Sequence, residues 1–147
     1  MDSTRGLATR GFLIAVLVAG CSHDTSGVAR QESNLKKLAL FFGQYQGQHR
    51  GAWAADEKSL KDFIRAQEMM LKSQEITDVD GLFVSERDHQ PYVILYGGEL
   101  GTDGPGGSPV VAYEKQGVAG KRYVASSLGA VEEVDDQLLR QWVKNLP

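Results

Sequence analysis

A chain of 147 residues, 41% hydrophobic and 24% charged, has the make-up of one ordinary globular domain. Sixteen basic residues against 19 acidic ones give a net charge of −3, which excludes the basic footprint of a nucleic-acid partner. A single cysteine, Cys21, excludes an internal disulfide.

The first predicted element is a secretory signal segment. Arg5 and Arg10 precede the apolar run Phe12–Ala19, and Gly20-Cys21 closes it. As a helix that run spans only ~12 Å at ~1.5 Å per residue, short of a ~30 Å hydrocarbon core. The sequence Val18-Ala19-Gly20-Cys21 resembles the lipobox read by the lipoprotein signal peptidase. The resemblance implies cleavage before Cys21, with Val18, Ala19 and Gly20 as the recognition residues, and a lipid such as palmitate on the cysteine. Each buried acyl methylene contributes roughly 0.8 kcal/mol, so two or more chains anchor stably. Arg10-Gly11-Phe12 is similar to a prepilin peptidase site, but Val16 stands where pilins need glutamate and the apolar run stops at Cys21. The chain is thus expected in the cell envelope, lipid-anchored to the inner or outer membrane and facing the periplasm or exterior.

Three segments follow: a signal peptide at 1–20, a lipidated tether at 21–32, and a single α+β domain at 33–147. Removing residues 1–20 takes away Arg5, Arg10 and Asp2, which leaves 14 basic and 18 acidic residues. The tether SHDTSGVARQE is polar and without periodicity. A first helix is expected from Ser33 or Asn34, with Leu35, Leu38, Phe42 and Tyr45 on one face and Ala39 and Phe41 widening it. Gly43 and Gly47 weaken its later turns, and Gly51 ends it. A second helix fits Asp56–Lys72, with Leu60, Phe63, Ile64 and Leu71 on one side. Asp78–Gly81 reads as a turn.

Pro91–Tyr96, Pro109–Glu114 and Lys121–Ser126 have strand character, and Ala130–Val134 makes a short fourth strand. Gly97–Ser108 is a glycine-rich connection, and Gly117–Gly120 is a turn. A last helix starts at Asp135 and gathers Leu138, Leu139, Trp142, Val143 and Leu146, with acids at its start and Lys144 at its end. The expectation is α+β: N-terminal helices packed on a three- to four-stranded antiparallel meander, with a C-terminal helix.

Residues 34–48 and 109–146 resemble the helix and C-terminal part of pseudopilin-like bacterial proteins. Asn34–Leu40 is similar to that group's first helix, and Ala112-Tyr113-Glu114-Lys115 with its following glycine turn to a characteristic strand. The chain departs from the pattern at Leu128, where the group has aspartate, and at Val118, where histidine is sometimes found. The resemblance implies a helix against a small antiparallel sheet and a structural role in a secretion machine.

Little else carries chemistry. His23, His49 and His89 are scattered, as surface histidines are, and make no ligand cluster. Ser85, Asp88 and His89 share one turn, whereas triad members normally meet through the fold, and no Gly-x-Ser-x-Gly elbow is present. Asp78, Asp80 and Gly81 look like the start of a calcium loop, yet the twelfth position holds His89 instead of glutamate. The loop 97–108 lacks the following helix of a phosphate cradle and carries Glu99 and Asp103, which repel phosphate. Lys36, Lys37, Lys58, Lys61 and Arg65 are expected to be solvated. Trp53, Glu99 and Asp103 are the candidate contacts for a partner. No cofactor, metal or catalytic residue is expected. The expected function is a non-catalytic lipoprotein, tethered through Cys21, that binds or helps assemble another envelope protein. The competing reading is a small periplasmic ligand-binding protein or hydrolase with a site near 97–108.

Overall fold

Ser33 opens helix α1 (Asn34–Gln48) by accepting the Lys36 N–H on its hydroxyl. Residues 33–97, 103–143 and 146 are described by the computed structural model. Cys21 with Val18, Ala19 and Gly20, the rest of the signal segment and tether, Glu99 and Lys144 lie outside them. The stripe of α1 is buried as the spacing predicts: Leu35, Leu38, Ala39, Phe41 and Phe42 expose nothing. The helix closes on His49, whose ring stacks on Tyr45 at 3.9 Å between centroids. Gly51, at φ +85°, then reverses the chain.

Gly43 does more than weaken a turn. A Cβ there would stand 2.7 Å from the carbonyl oxygen of Ser127, so the missing side chain lets α1 lie against the last β-turn. Gly43→Ala is therefore expected to lower stability by about 1–3 kcal/mol through overpacking, although alanine is the better helix former. Thermal melts of the two chains test this, and an unchanged or raised midpoint would contradict it.

The second predicted helix is two. Asp56 and Ser59 form a reciprocal capping box that starts α2 (Glu57–Ala66). The backbone then breaks at Gln67 (φ −91°, ψ 58°), and α3 (Glu68–Ser73) follows. A straight helix would have carried Gln67 on the apolar stripe between Ile64 and Leu71. Beyond the break Met70 and Leu71 pack, part-buried, against the core. A 3₁₀ turn (Gly81–Phe83) then buries Leu82 and Phe83.

Four strands form one antiparallel sheet in the order β1-β2-β3-β4: Val93–Ile94, Val110–Tyr113, Lys121–Ser126 and Val131–Asp135. The meander is the predicted one, and the fold is α+β. β1 is shorter than the expected Pro91–Tyr96, with Tyr92 and Gly97 on either side of it donating to Phe83 O and Ala54 O. The glycine-rich connection contains a 3₁₀ turn at Pro105–Gly107. Asp135 caps the final helix α4 (Asp136–Trp142) by accepting the Leu138 N–H at 2.8 Å. One face of the sheet packs on the N-terminal helices through Val111, Ala112, Tyr123 and Ala125. The other packs on α4 through Val110, Tyr113, Val124 and Val134 against Leu139 and Val143. Among the described residues no helix is long and apolar enough to cross a membrane.

Candidate functional site

The densest polar cluster lies where β2 ends. Glu114 leaves the strand with its side chain 1% exposed. Burial alone would make its charge costly. Three groups offset that cost. The Ser85 hydroxyl donates to Oε1 at 2.8 Å, the Tyr123 N–H donates to Oε2 at 2.8 Å, and Arg87 Nη1 lies 3.4 Å from Oε2. Arg87 also donates to Glu133 Oε1 at 2.8 Å, and its guanidinium lies 3.8 Å from the Tyr123 ring centre. One side chain thus joins the end of β2 to β3 and β4. Burial still pushes the Glu114 carboxyl above the ordinary carboxylate range, against the pull of Tyr123, Ser85 and Arg87.

The loop Ser85–Gln90 supplies most of these groups and uses nearly every side chain inward. Ser85 Oγ accepts the N–H groups of Arg87 and Asp88, a local turn that serine favours. Glu86 accepts the Asn34 N–H at 2.7 Å and the Tyr92 hydroxyl at 3.1 Å. Asp88 accepts from Gln90, Gln116 and Gly117. Burial pushes the Asp88 carboxyl up, but these backbone donors outweigh it and hold the group low. Glu86 and His89 stay exposed, His89 at φ +55°.

A carboxyl held low in the folded chain contributes stability that is present above its unfolded pKa, near ~3.9, and lost as pH falls through the folded value. Asp88→Asn keeps the shape but loses one acceptor oxygen and the charge. It is expected to cost about 1–2 kcal/mol at pH 7 and much less at pH 3. Urea midpoints at the two pH values measure the difference, and an equal loss at both would refute the assignment.

Ser85, Asp88 and His89 are neighbours here without forming a nucleophile, base and acid. The Ser85 proton goes to Glu114, both Asp88 oxygens accept backbone N–H groups, and His89 is exposed. Asp80 pairs with Lys61 and Arg65, while Asp78 accepts the Asp80 N–H. Among the described residues no group of three or more metal-ligating side chains comes together.

Lys61 and Lys36 depart from the expectation of solvated lysines. Lys61 is 19% exposed, bridges Glu57 at 2.5 Å and Asp80 at 2.8 Å, and stands over the Phe83 ring. Two carboxylates and an aromatic face replace the water it gives up. Lys36 donates to the Gly129 carbonyl and so ties α1 to the β3–β4 turn. Lys61 forms one wall of a groove of about 250 Å³. Phe83, Tyr92, Ile94 and Tyr96 form the others, and the Tyr96 hydroxyl is buried without a partner among the described residues. A shallower depression of about 710 Å³ lies beside Gln44, Gln67, Met69 and Met70, with Met69 86% exposed.

Of the three candidate partner contacts, Trp53 is half-buried with its ring 5.4 Å from that of Phe42. Asp103 is exposed and bridges to Pro109. Sequence reasoning missed the Arg87–Glu114–Glu133 cluster. Its one local sign is an acid, Glu114, directly following the four buried residues of β2. Comparison of the chain with protein-family models, curated proteins and solved structures finds no match.

Proposed function

We propose that the chain is a lipid-anchored protein of the bacterial cell envelope whose α+β domain, without catalytic role, binds or helps assemble another envelope component. The observation that carries the reading is Val18-Ala19-Gly20-Cys21 after a short apolar run, with Cys21 the sole cysteine. Lipidation explains an odd cysteine in an exported chain. The resemblance of residues 34–48 and 109–146 to pseudopilin-like proteins supports assembly over catalysis. So does the use of the Ser85 hydroxyl on Glu114 and of the Asp88 carboxylate on backbone N–H groups.

Cells fed an alkyne analogue of palmitate are expected to label the wild-type chain and hold it in the membrane fraction. Cys21→Ser is expected to lose the label and fall at least tenfold in membrane partition, since each lost methylene removes roughly 0.8 kcal/mol. Label retained by the serine variant would sink the anchor. Cross-linking from membranes in gentle detergent tests the second half of the proposal. One envelope protein captured by wild type and lost with Cys21→Ser is the expected result, and equal behaviour of both chains counts against it.

A further inference from the structure

The two edges of the sheet are unlike. At β1, the outward N–H of Tyr92 donates to Phe83 O at 2.9 Å and Gly97, just past the strand, donates to Ala54 O at 3.0 Å, so other segments cover both ends of that edge. At β4 the register decides which backbone groups point outward. Ser126 N–H donates to Ala130 O, and the pairs Val124–Glu132 and Arg122–Val134 follow in the same ladder. Hydrogen-bonded pairs recur at every second residue of an antiparallel ladder. The backbone groups of Glu132 and Val134 therefore face β3, and those of Val131 and Glu133 face away. The β2 side agrees. Glu114 N–H donates to Tyr123 O, which turns Tyr123 and Ala125 toward β2 and leaves Arg122 and Val124 for β4. The outward N–H groups of Val131 and Glu133 have no partner among the described residues.

An unpaired edge is a template for another strand, and its charge says which kind. β4 reads Val-Glu-Glu-Val-Asp. Glu133 is held by Arg87 and Asp135 caps α4, while Glu132 is exposed and has no counterion among the described residues. A second copy paired about a two-fold axis at Glu133 would set that glutamate against itself, and like charges directly opposite destabilise. We infer that the outer edge of β4 receives an extended, basic segment of a partner protein as a fifth strand, with main-chain hydrogen bonds at Val131 and Glu133 and a lysine or arginine beside Glu132. This deepens the reading of the domain as a binding module and rests on it. It does not depend on the lipid.

The test is backbone hydrogen exchange of the full chain in mild detergent, with two synthetic peptides of equal length, one alternating lysine with valine and the other glutamate with valine. The lysine peptide is expected to slow exchange at Val131 and Glu133 at least tenfold, and the glutamate peptide to leave it unchanged. Glu132→Lys is expected to weaken binding of the lysine peptide at least tenfold. Glu133→Pro removes an outward N–H and no bond to β3, so it is expected to abolish the protection. Should the proline variant fail to fold, Glu132→Lys carries the test alone. Unchanged exchange at β4, or equal protection by both peptides, overturns the inference. It also falls if these amides are already protected without peptide and lose that protection when residues 22–32 are deleted, which would make the tether the occupant. A chain that captures one envelope protein by cross-linking yet shows no protection at β4 keeps its role as a binding module and loses only this surface.

Discussion

Arg87→Met is expected to cost about 3–5 kcal/mol of stability at neutral pH, because it leaves a buried carboxylate without its counterion. Glu114 is 1% exposed and Arg87 is 23% exposed, so water cannot easily take the place of the guanidinium. The same side chain holds Glu133 at 2.8 Å and covers the Tyr123 ring, and methionine keeps only part of that cover. The loss should depend on pH in a definite direction. The Glu114 carboxyl is already raised by burial, and without Arg87 it rises further. A carboxyl whose folded pKa lies above its unfolded value, near ~4.3, destabilises the fold increasingly as pH climbs from the unfolded to the folded pKa. Acid therefore relieves the variant: the gap to wild type should be larger at pH 7 than at pH 5. Adding Glu114→Gln to Arg87→Met removes the stranded charge and should recover part of the loss. Denaturant titrations of the three chains decide it. A loss under about 1 kcal/mol for the single variant, with no pH dependence, would show that Arg87 is a surface ion pair of the ordinary weak kind.

Phe42→Ala is the second large effect. The ring exposes nothing and meets Trp53 at 5.4 Å and Tyr96 at 6.5 Å between centroids. Truncation of such a ring costs about 3–5 kcal/mol, the lost transfer energy plus the cavity left behind. At roughly 4–8 °C per kcal/mol for a domain near this size, the melting midpoint should fall by more than about 12 °C. Trp53 reports the same event in its emission, which should shift to the red as its aromatic neighbour goes. A Trp142→Phe background isolates the signal. A midpoint that moves by less than about 3 °C would mean that the aromatic group repacks and that Trp53 is not part of the core.

The sequence made local order legible and long-range pairing illegible. Ser33 could be read as a cap because a cap acts within three residues, and Lys121–Ser126 reads as a strand from its own composition. The stripe of α1 was equally local. The break at Gln67 was foreshadowed by a polar residue on an apolar stripe, but neither glycine nor proline marks it. β1 came out shorter than its β-branched composition suggests, and the bonds that flank it go to Phe83 and Ala54, neither of which lies in the strand. The Glu114 cluster could not be read at all. Its members come from a loop, a strand end and two further strands, and nothing in periodicity pairs Arg87 with Glu133. Lys61 misled for the same reason, since its surroundings are made by Asp80 and Phe83 from another element.

The bonds made by α1 reach far along the chain. Asn34 is tied to Glu86, Lys36 to Gly129, and Gly43 lies against Ser127. The first helix thus packs on the Gly81–Phe83 turn, β2 and β3, all made much later in the chain. Loops this long are entropically slow to close, and non-local contacts delay folding. As the chain emerges from a ribosome, α1 must wait with part of its apolar stripe uncovered until β2 and β3 have followed. The fold therefore times itself: its first helix is fully covered only when the final third of the chain arrives.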